Sequence, residues 1–489
     1  MRSTARVLAA SVLILPIFPS CGFTQGAGKL PEADVIVTAA PVYQPLAALS
    51  GGERFPKGAE LLLIHNGKAE PLVSGFAASA DANVSFDGKT VLFAGKDSEA
   101  APWQIWELTL ATHAVRKVTA TAADAIRPLY LPTPMPGGRL VYAQRTAQEF
   151  ELENARAAVL SAADAANDPQ AALVQVTYLA GSAVPADVLA DGRILFEAGF
   201  PLGGKERATA ELFLVYSDGS GVESYRCDHG AARWGGKQLA SGDVVFTHGT
   251  SLARFTSPLA HEAAVSAPQG EYAGAIAETA AGEWLVSERA SAAMHYALKV
   301  WKPGAAISGT VLAVSGKDVV EPVVVAARKR PNRHPSGLHD WSYANLLALD
   351  ARQSRAGDLK TAPARVRLET MDAEGHAVVN GTAPVEKDGS FFVKVPGDKM
   401  IRFTLLDEKG AVVRQEQGWF WIRRGEQRIC VGCHTGPERA SENRVPAVLM
   451  RTTTPVDLTG TNPASSAQSK TSGSPRTGLS PRGDSPGGN

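Results

Sequence analysis

Three residues near the C-terminal end of the sequence have the types and spacing of a chemical site. Cys430 and Cys433 are separated by two residues, and His434 follows the second cysteine directly. In such a C-x-x-C-H segment the two thiols add to the vinyl groups of one porphyrin, and the adjacent imidazole ligates its iron. The segment predicts one covalently attached haem c, with Cys430 and Cys433 as attachment residues and His434 as the axial iron ligand.

Two other kinds of site use the same pair of cysteines. A C-x-x-C pair can form a redox disulfide, and it can supply half of the ligands of a zinc site. A zinc site needs further ligands, but the sequence has no second C-x-x-C, and its other cysteines are Cys21 and Cys227. Haem attachment is therefore the preferred interpretation, and Cys227 is predicted to be a buried, inert residue.

The chemistry of such a haem depends on the second axial position of the iron. A second histidine or methionine ligand suits electron transfer, whereas an open position permits chemistry on a small molecule. The sequence leaves this ligand open among four residues, which are His334, His339, Met400 and Met450.

An aromatic and basic stretch lies shortly before the cysteines. Strand alternation predicts that Trp419 and Trp421 share one face of a sheet, with Phe420 and Ile422 on the other, and core packing is the expected role. Three arginines follow, and they either bind haem propionates or form a solvated basic turn; these are Arg423, Arg424 and Arg428.

Length and composition limit the classes of protein. The chain of 489 residues, 44% of them hydrophobic, is longer than one core normally holds, so we expect at least two domains. Lys plus Arg and Asp plus Glu both number 49, which gives no basic excess for nucleic acid. We find no serine-hydrolase elbow, H-E-x-x-H or phosphate loop, so whether the protein is an enzyme stays open.

A repeated pattern of a glycine turn followed by an apolar strand spans residues 35–330, as in "FDGKTVLFA" and "ADGRILFE". Its central glycines are Gly88, Gly138, Gly192, Gly242 and Gly282. Their separation fits one four-stranded blade per repeat, so the pattern predicts an all-β fold with a β-propeller of about six blades, seven being the alternative. "AELLLIHNGKAEPLV" would form a partial first blade, and "DVVEPVVVAAR" would close the ring. Residues 147–168 have helix-forming composition and are interpreted as an insertion.

The C-terminal part is organised differently. Short apolar strands broken by turns predict a small β-sandwich over residues 331–425, followed by a haem-binding segment over residues 426–451. Residues 452–489 are rich in Ser, Pro, Gly and Thr, which predicts a disordered tail.

The first 21 residues have the features of an export signal. Arg2 and Arg6 precede a short apolar run, and Cys21 stands where a lipoprotein signal would place its lipid-modified cysteine. Ordinary cleavage is the alternative. We expect a periplasmic or outer-membrane-anchored protein, which would meet the membrane only through a lipid on Cys21.

Several stretches resemble a known family. "DANVSFDGKTVLFAGK" resembles TolB-type propeller repeats, while "RPNRHPSG" and "GWFWIRRGEQRICVGCHTGPERASENRVPAVL" resemble proteins related to the hydrazine synthase alpha subunit. This resemblance covers residues 320–449 well and the propeller more loosely. It implies a propeller, a β-sandwich and c-type haem, with Cys430, Cys433 and His434 on the attachment motif. The hydrazine synthase subunit carries more than one haem, whereas this chain has a single C-x-x-C-H, so hydrazine synthesis is not predicted.

Two functional classes follow. The first is an exported monohaem c-type protein with a redox role, either an electron carrier or a haem oxidoreductase, whose partner would be a redox protein or a small-molecule substrate. The second is a propeller-based binding or scaffold protein in which the haem is structural.

Overall fold

The computed structural model describes most of the chain. The described residues are 23–25, 32–132, 139–146, 149–156, 174–179, 181–200, 209–225, 232–257, 260–354, 357–416, 418–432 and 443–460. Several features expected from the sequence lie outside them, namely the signal with Cys21, Gly138, Cys227, Cys433, His434 and the tail beyond residue 460.

Six antiparallel sheets form the blades of a β-propeller, which confirms the expected fold class and blade number. Their strands are β1 (Phe23–Gln25), β2 (Val35–Ala40), β3 (Glu60–His65), β4 (Lys68–Pro71), β5 (Ala78–Val84), β6 (Thr90–Lys96), β7 (Gln104–Thr109), β8 (Ala114–Lys117), β9 (Ala125–Leu131), β10 (Arg139–Thr146), β11 (Glu149–Arg156), β12 (Val174–Gln175), β13 (Ala183–Val188), β14 (Ile194–Phe200), β15 (Thr209–Val215), β16 (Glu223–Ser224), β17 (Arg233–Gln238), β18 (Val244–His248), β19 (Ser251–Phe255), β20 (Ala263–Ala264), β21 (Glu271–Glu278), β22 (Trp284–Arg289), β23 (Ala297–Trp301), β24 (Gly309–Val314) and β25 (Asp318–Val324).

The ring closes between the two ends of the propeller sequence. Strand β25 pairs with β2 and so becomes the inner strand of the first blade, whose order is β25-β2-β3-β4. The next blades contain β5–β8, β9–β12, β13–β16, β17–β20 and β21–β24, and β1 adds to the edge of the last. Strand β25 is formed by the start of "DVVEPVVVAAR" and closes the ring, as expected.

A bulge interrupts the inner strand of each blade. The strand register shifts at this point in all six blades. Five of the bulges contain a residue with positive φ, namely Asp81, Arg127, Gly235, Gly274 and Glu321. A bulge leaves one residue unpaired and bends the strand, so the bulges bring charged side chains together at the axis.

One mouth of the channel is filled by the connection between β2 and β3. This plug contains a short 3-10 helix, Ala47–Ser50, that contacts β11, β13 and β14. Phe55 is 4% exposed and Arg54 is 6% exposed. The plug therefore delivers a buried arginine to the axis.

A strap, residues 325–342, crosses the opposite face. Its backbone amides at Arg328 and Asn332 donate to the carbonyls of Phe86 and Ala190, which lie next to the turns of the second and fourth blades. Further along, the amide of His339 donates to the carbonyl of Gly425 in the C-terminal domain. The strap thus fixes where that domain begins.

The C-terminal domain contains two sheets that share one apolar core. Its elements are β26 (Tyr343–Ala348), β27 (Arg365–Met371), β28 (Ala377–Pro384), β29 (Phe391–Pro396), β30 (Met400–Leu406), β31 (Val412–Gln415), β32 (Phe420–Trp421), β33 (Gln427–Cys430), α1 (Ala447–Arg451) and β34 (Val456–Asp457). The first sheet has the order β33-β26-β29-β34, and the second has β28-β27-β30-β31 with β32 paired to β30. This is the expected β-sandwich.

The sandwich is attached to the propeller through the aromatic stretch. Trp421 is fully buried in an apolar cluster of the third and fourth blades, and its Nε1 donates to the carbonyl of Gly219 at 3.0 Å. Phe420 and Ile422 pack instead in the sandwich core. The two faces that alternation predicts therefore exist, and one of them joins the domains.

Two segments differ from the expectations. Residues Glu149–Arg156 form β11, a full strand of the third blade between β10 and β12, because pairing with β10 outweighs the helical preference of "EFELENAR". Residues 452–460, assigned to the disordered tail, contribute β34, and Leu458 is buried in the sandwich core. The two apolar side chains of this stretch, Val456 and Leu458, gave too weak a signal for a strand.

Glycine turns under the strap and outside it allow a matched test. Gly192 and Gly242 occupy the same turn in adjacent blades with φ of +90° and +93°. A Cβ at Gly192 would lie 2.1 Å from the carbonyl oxygen of Asn332, whereas nothing lies within 4 Å at Gly242. We expect Gly242→Ala to lower the free energy of unfolding by about 1 kcal/mol through backbone strain alone. Gly192→Ala should lower the free energy of unfolding further and should speed proteolysis of the strap. Equal decreases for the two variants in urea unfolding would contradict a strap that packs on Gly192.

Candidate functional site: the sheet end that carries Cys430

The cysteine segment begins at the end of an edge strand. Cys430 is the last residue of β33, which pairs in parallel with β26. Across the sheet, Cys430 lies beside Ala348, and Ala348 lies beside Phe391 of β29. Adjacent strands are about 4.8 Å apart, so this row of three residues spans about 10 Å. It marks the end of the sheet at which the segment starts.

Asp350 holds both flanks of the segment. Its amide donates to the carbonyl of Val431 at 3.2 Å, just after Cys430. Its carboxylate lies 3.8 Å from the guanidinium of Arg444, which is on the C-terminal flank of the segment. The two ends of the span that contains Cys433 and His434 are therefore held at one place on the sheet.

The returning chain is fixed more firmly by the turn before β29. Arg444 pairs with Asp388 at 3.1 Å, and the carboxylate of Asp388 also accepts from the amide of Ala447 at 2.7 Å. The hydroxyl of Ser390 accepts from the amide of Val448 at 3.1 Å. These contacts seat helix α1 at the end of the sheet that carries Cys430.

The carboxylates in this cluster are stabilised as anions. Burial raises the pKa of Asp350, but hydrogen bonds and charge from Arg352 outweigh it and lower the pKa below its usual value. Burial also raises the pKa of Asp388. Hydrogen bonds from Ser390 and Ala447 and the charge of Arg444 outweigh burial and lower this pKa below its usual value. Both groups are therefore charged at neutral pH, as their ion pairs require.

The surroundings of Cys430 favour an uncharged sulfur. Its side chain is half-buried against the sandwich core, and burial raises the pKa of the thiol. Zinc ligation and disulfide exchange both need the thiolate, which such a site disfavours. A thioether carries no charge, so the covalent product with a porphyrin vinyl group suits this position.

Apolar side chains are exposed on both flanks of the segment. Ile429 is 65% exposed, Val445 is 64% exposed and Met450 is 77% exposed. Large apolar residues are usually buried, so exposed ones on both sides of one segment indicate a surface that an apolar group can cover. The residues present therefore fit a porphyrin.

The four candidates for the second axial ligand lie in different places. His334 stacks on Tyr216 of the propeller with ring centroids 3.9 Å apart. His339 stacks on Trp341 and contacts Gln427, which begins β33 at the opposite end from Cys430. Met400 begins β30 of the second sheet, beside Trp421. Met450 alone among the four is on the helix seated at the end of the sheet that carries Cys430.

The basic stretch is used within the protein. Arg423 pairs with Asp398 at 2.5 Å and donates to the carbonyl of Asp218 in the propeller at 2.8 Å. Arg424 pairs with Asp398 as well, and Arg428 pairs with Glu426 at 3.0 Å. The guanidinium of Arg402 lies over Trp419, 4.5 Å from the ring centroid. Arg423 therefore joins the sandwich to the propeller, whereas Arg424 and Arg402 make contacts within the sandwich. The spacing of these residues in the sequence did not show these roles.

Within the described ranges, no group of three or more His, Cys, Asp or Glu residues is arranged to hold a metal ion. In the same part of the chain, no helix has the length and apolar character needed to cross a membrane.

Comparison with known proteins tests the family resemblance. Residues 349–435 match the family model described as the hydrazine synthase alpha subunit middle domain, and the matched range includes Cys430, Cys433 and His434. The chain resembles the hydrazine synthase alpha subunit. The expected resemblance is thereby confirmed.

A solved structure shows the same fold over most of the chain. Hydrazine synthase from Kuenenia stuttgartiensis superposes with a TM-score of 0.71 and 17% identity, covering 87% of this chain and 71% of that one. TolB from Acinetobacter baumannii gives a TM-score of 0.43 and 12% identity, covering 60% of this chain and 66% of that one. No curated protein sequence matches the chain.

Loss of the charge of Asp388 should loosen the chain around Arg444, which follows the cysteine segment. We expect Asp388→Asn to weaken the contacts to Arg444 and Ala447 and to speed tryptic cleavage after Arg444 roughly fivefold, as about 1 kcal/mol of lost anchoring implies. Asp407→Asn is the matched control, because Asp407 accepts the amides of Lys409 and Ala411 in the β30–β31 turn and holds no part of the segment. Unchanged cleavage in Asp388→Asn would show that the ion pair does not anchor Arg444.

The same carboxylates predict a dependence on acid. Their pKa values are lowered in the folded protein, so they contribute stability above the ordinary Asp pKa of about 3.9 and lose it as the pH falls through the lower folded values. Urea unfolding should show a decline in stability below about pH 4 that is smaller in Asp388→Asn than in the native protein. If stability falls equally with pH in the two proteins, Asp388 does not contribute to the acid dependence.

Proposed function

We propose that this protein is an exported monohaem c-type protein with a redox role, related to the hydrazine synthase alpha subunit. Cys430 and Cys433 would attach the haem, and His434 would ligate its iron. The observation that supports this most is the seating of the C-x-x-C-H segment, which starts on an edge strand and has both flanks held by Asp350. A haem attached to this segment would lie beside the exposed apolar side chains of its flanks.

The haem would supply one-electron chemistry at iron, and the chain would supply its setting. Cys430 offers a half-buried, uncharged sulfur position, and Ile429 and Val445 offer apolar contact. Asp350 and Asp388 keep the flanks in place through backbone amides and Arg444. This division assigns no residue of the chain to a chemical step, so electron transfer and haem-based oxidation of a small molecule both stay within the proposal.

Met450 is the second axial ligand that we propose. Val448 packs inward at 2% exposure, and a residue two positions later points to the opposite side of a helix. Met450 therefore projects away from the sheet core, at the end where the cysteine segment begins and returns. Histidine and methionine ligation suits an electron carrier, whose partner would be another redox protein.

Export remains part of the proposal. Covalent haem attachment takes place outside the bacterial cytoplasm, which agrees with the signal expected in residues 1–21. The protein would then be periplasmic, or held at the outer membrane by a lipid on Cys21.

A second candidate function is favoured by a different observation. A cavity of about 170 Å³ lies on the propeller axis, lined by charged side chains. Convergent polar groups in a cavity are typical of binding sites. In this alternative the propeller binds a ligand and the haem only stabilises the C-terminal domain.

Visible spectroscopy tests the haem. Protein exported by a host that matures cytochromes c should show a c-type spectrum, and its haem should stay attached under denaturing conditions. The double variant Cys430→Ala/Cys433→Ala should lose the covalent haem, whereas the control Cys227→Ala should retain it. A native protein without covalent haem would disprove the proposal and leave the binding function.

Carbon monoxide and redox titration test the second ligand. The native ferrous protein should not bind carbon monoxide, and the ferric protein should show the far-red absorption of a thioether bound to iron. Met450→Ala should lose that band, bind carbon monoxide and have a lower midpoint potential, because methionine ligation raises the potential. Met294→Ala is the matched control, since Met294 is also exposed, at 57%, but lies in the propeller. A covalent haem whose spectrum is the same in Met450→Ala and native protein would exclude Met450 while leaving the haem in place.

A further inference from the structure

The axial cavity is enclosed by every blade. Each inner strand contributes to its wall at or just after its bulge, and representative residues are Asn83, Leu129, Ala186, Lys237, Ile276 and Glu321. At about 170 Å³ the cavity is several times larger than the space one water needs. The strap residue Arg328 lies at its mouth. The cavity is therefore a formed site of the propeller and the strap, whereas Cys430 lies in the C-terminal domain.

Buried ion pairs form the inner end of the cavity. Arg54 from the plug pairs with Asp81 and Glu321, both on inner-strand bulges. Arg127 pairs with Glu321 at 2.8 Å and lies 3.6 Å from Glu197. These groups hold each other, so the inner end is a rigid polar surface with little capacity to bind an ion of its own.

Two groups nearer the mouth are not paired in this way. The carboxylate of Glu278 accepts from the amide of Ala240 at 2.7 Å. Arg328 donates to the carbonyl of Val84 at 3.2 Å and lies over the ring of Phe86, 4.2 Å from its centroid. Within the described residues, neither has an oppositely charged partner in ion-pair range, whereas the neighbouring Lys237 is paired with Asp187 at 2.7 Å. One spare positive charge and one spare negative charge thus face the same cavity.

The balance of charge indicates the kind of ligand. The wall contains three acidic side chains, Asp81, Glu278 and Glu321, and three basic ones, Arg127, Lys237 and Arg328, so its formal charge is 3 − 3 = 0. Arg328 is exposed and Glu278 is half-buried, so water solvates both, and a ligand that covers them must replace that solvation. A simple anion or cation could do so for only one of the two. A molecule with one carboxylate and one ammonium group can satisfy both.

We propose that the axial cavity binds a small zwitterion of the amino-acid class, with its carboxylate on Arg328 and its ammonium group on Glu278. The guanidinium presents a planar pair of donors that matches a carboxylate. The amide of Ala240 donates to Oε2 of Glu278, and Oε1 can accept from an ammonium group. The size of the cavity restricts the ligand to a few heavy atoms beyond these groups. The inference goes beyond the haem proposal and does not depend on it.

Calorimetric titration of the full-length protein tests this site with named probes. Glycine, alanine, β-alanine and γ-aminobutyrate cover a range of distances between the two charged groups, and acetate and methylammonium carry one charge each. At least one zwitterion should bind about tenfold more tightly than either single-charge probe and should raise the melting temperature. Arg328→Gln and Glu278→Gln should each weaken that binding about tenfold. Arg333→Gln is the matched control, because Arg333 is an exposed strap arginine outside the cavity wall.

Three results would overturn the proposal. They are the absence of binding by every zwitterion at millimolar concentration, equal binding of acetate and the zwitterions, and zwitterion binding that persists in both cavity variants. Unchanged melting temperatures of the unliganded variants establish that they fold. Because the titration does not involve the haem spectrum, failure here leaves the haem proposal intact, and loss of the haem leaves this inference intact.

Discussion

Closure of the propeller ring by β25 is the constraint on which the rest of the structure depends. The pairing of β25 with β2 joins segments almost 300 residues apart in the sequence through a ladder that runs from Val35 opposite Val324 to Ala40 opposite Asp318. Because β25 is the inner strand, the chain leaves the propeller at the axis and must cross one face before another domain can begin. The strap, the sandwich and the cysteine segment all take their positions from that exit.

The position of the cysteine segment then follows from two contacts made along this path. Trp421 buries its whole side chain in the propeller while its neighbours Phe420 and Ile422 fill the sandwich core, so the strand that precedes the cysteines is held between two domains. Beyond it, β33 pairs in parallel with β26 and ends at Cys430. Because this pairing is parallel, the strap enters the sheet at the end where β33 begins, and the cysteine segment leaves at the opposite end. A c-type haem attached there would rest on a surface fixed at both ends.

Sequence patterns predicted what depends on local signals, and they did not predict what depends on distant partners. The glycine turns gave the blade repeat, because this signal lies within a few neighbouring positions. Haem attachment at C-x-x-C-H is likewise inferred from neighbouring positions and stays a prediction. Strand β11 was missed because its Glu- and Ala-containing sequence favours a helix until β10 pairs with it. The axial ion pairs were missed because Arg54 and Glu321 come from opposite ends of the propeller, and because no local signal marks Asp81 or Arg127 as a bulge with positive φ.

The two candidate sites differ in where their charged groups lie, and this limits what each can bind. At the axis, charged groups are concentrated in an enclosed space where burial raises the pKa of Glu197 even though Arg127 opposes the change. A ligand there must carry charges that match Arg328 and Glu278, because covering these two groups removes the water that solvates them. At Cys430 the arrangement is reversed, since the ion pairs of Asp350 and Asp388 anchor the chain while the surface left open is apolar. A flat apolar group with an inner metal suits that surface, and a small charged metabolite does not, so the redox and binding functions need not compete for one site.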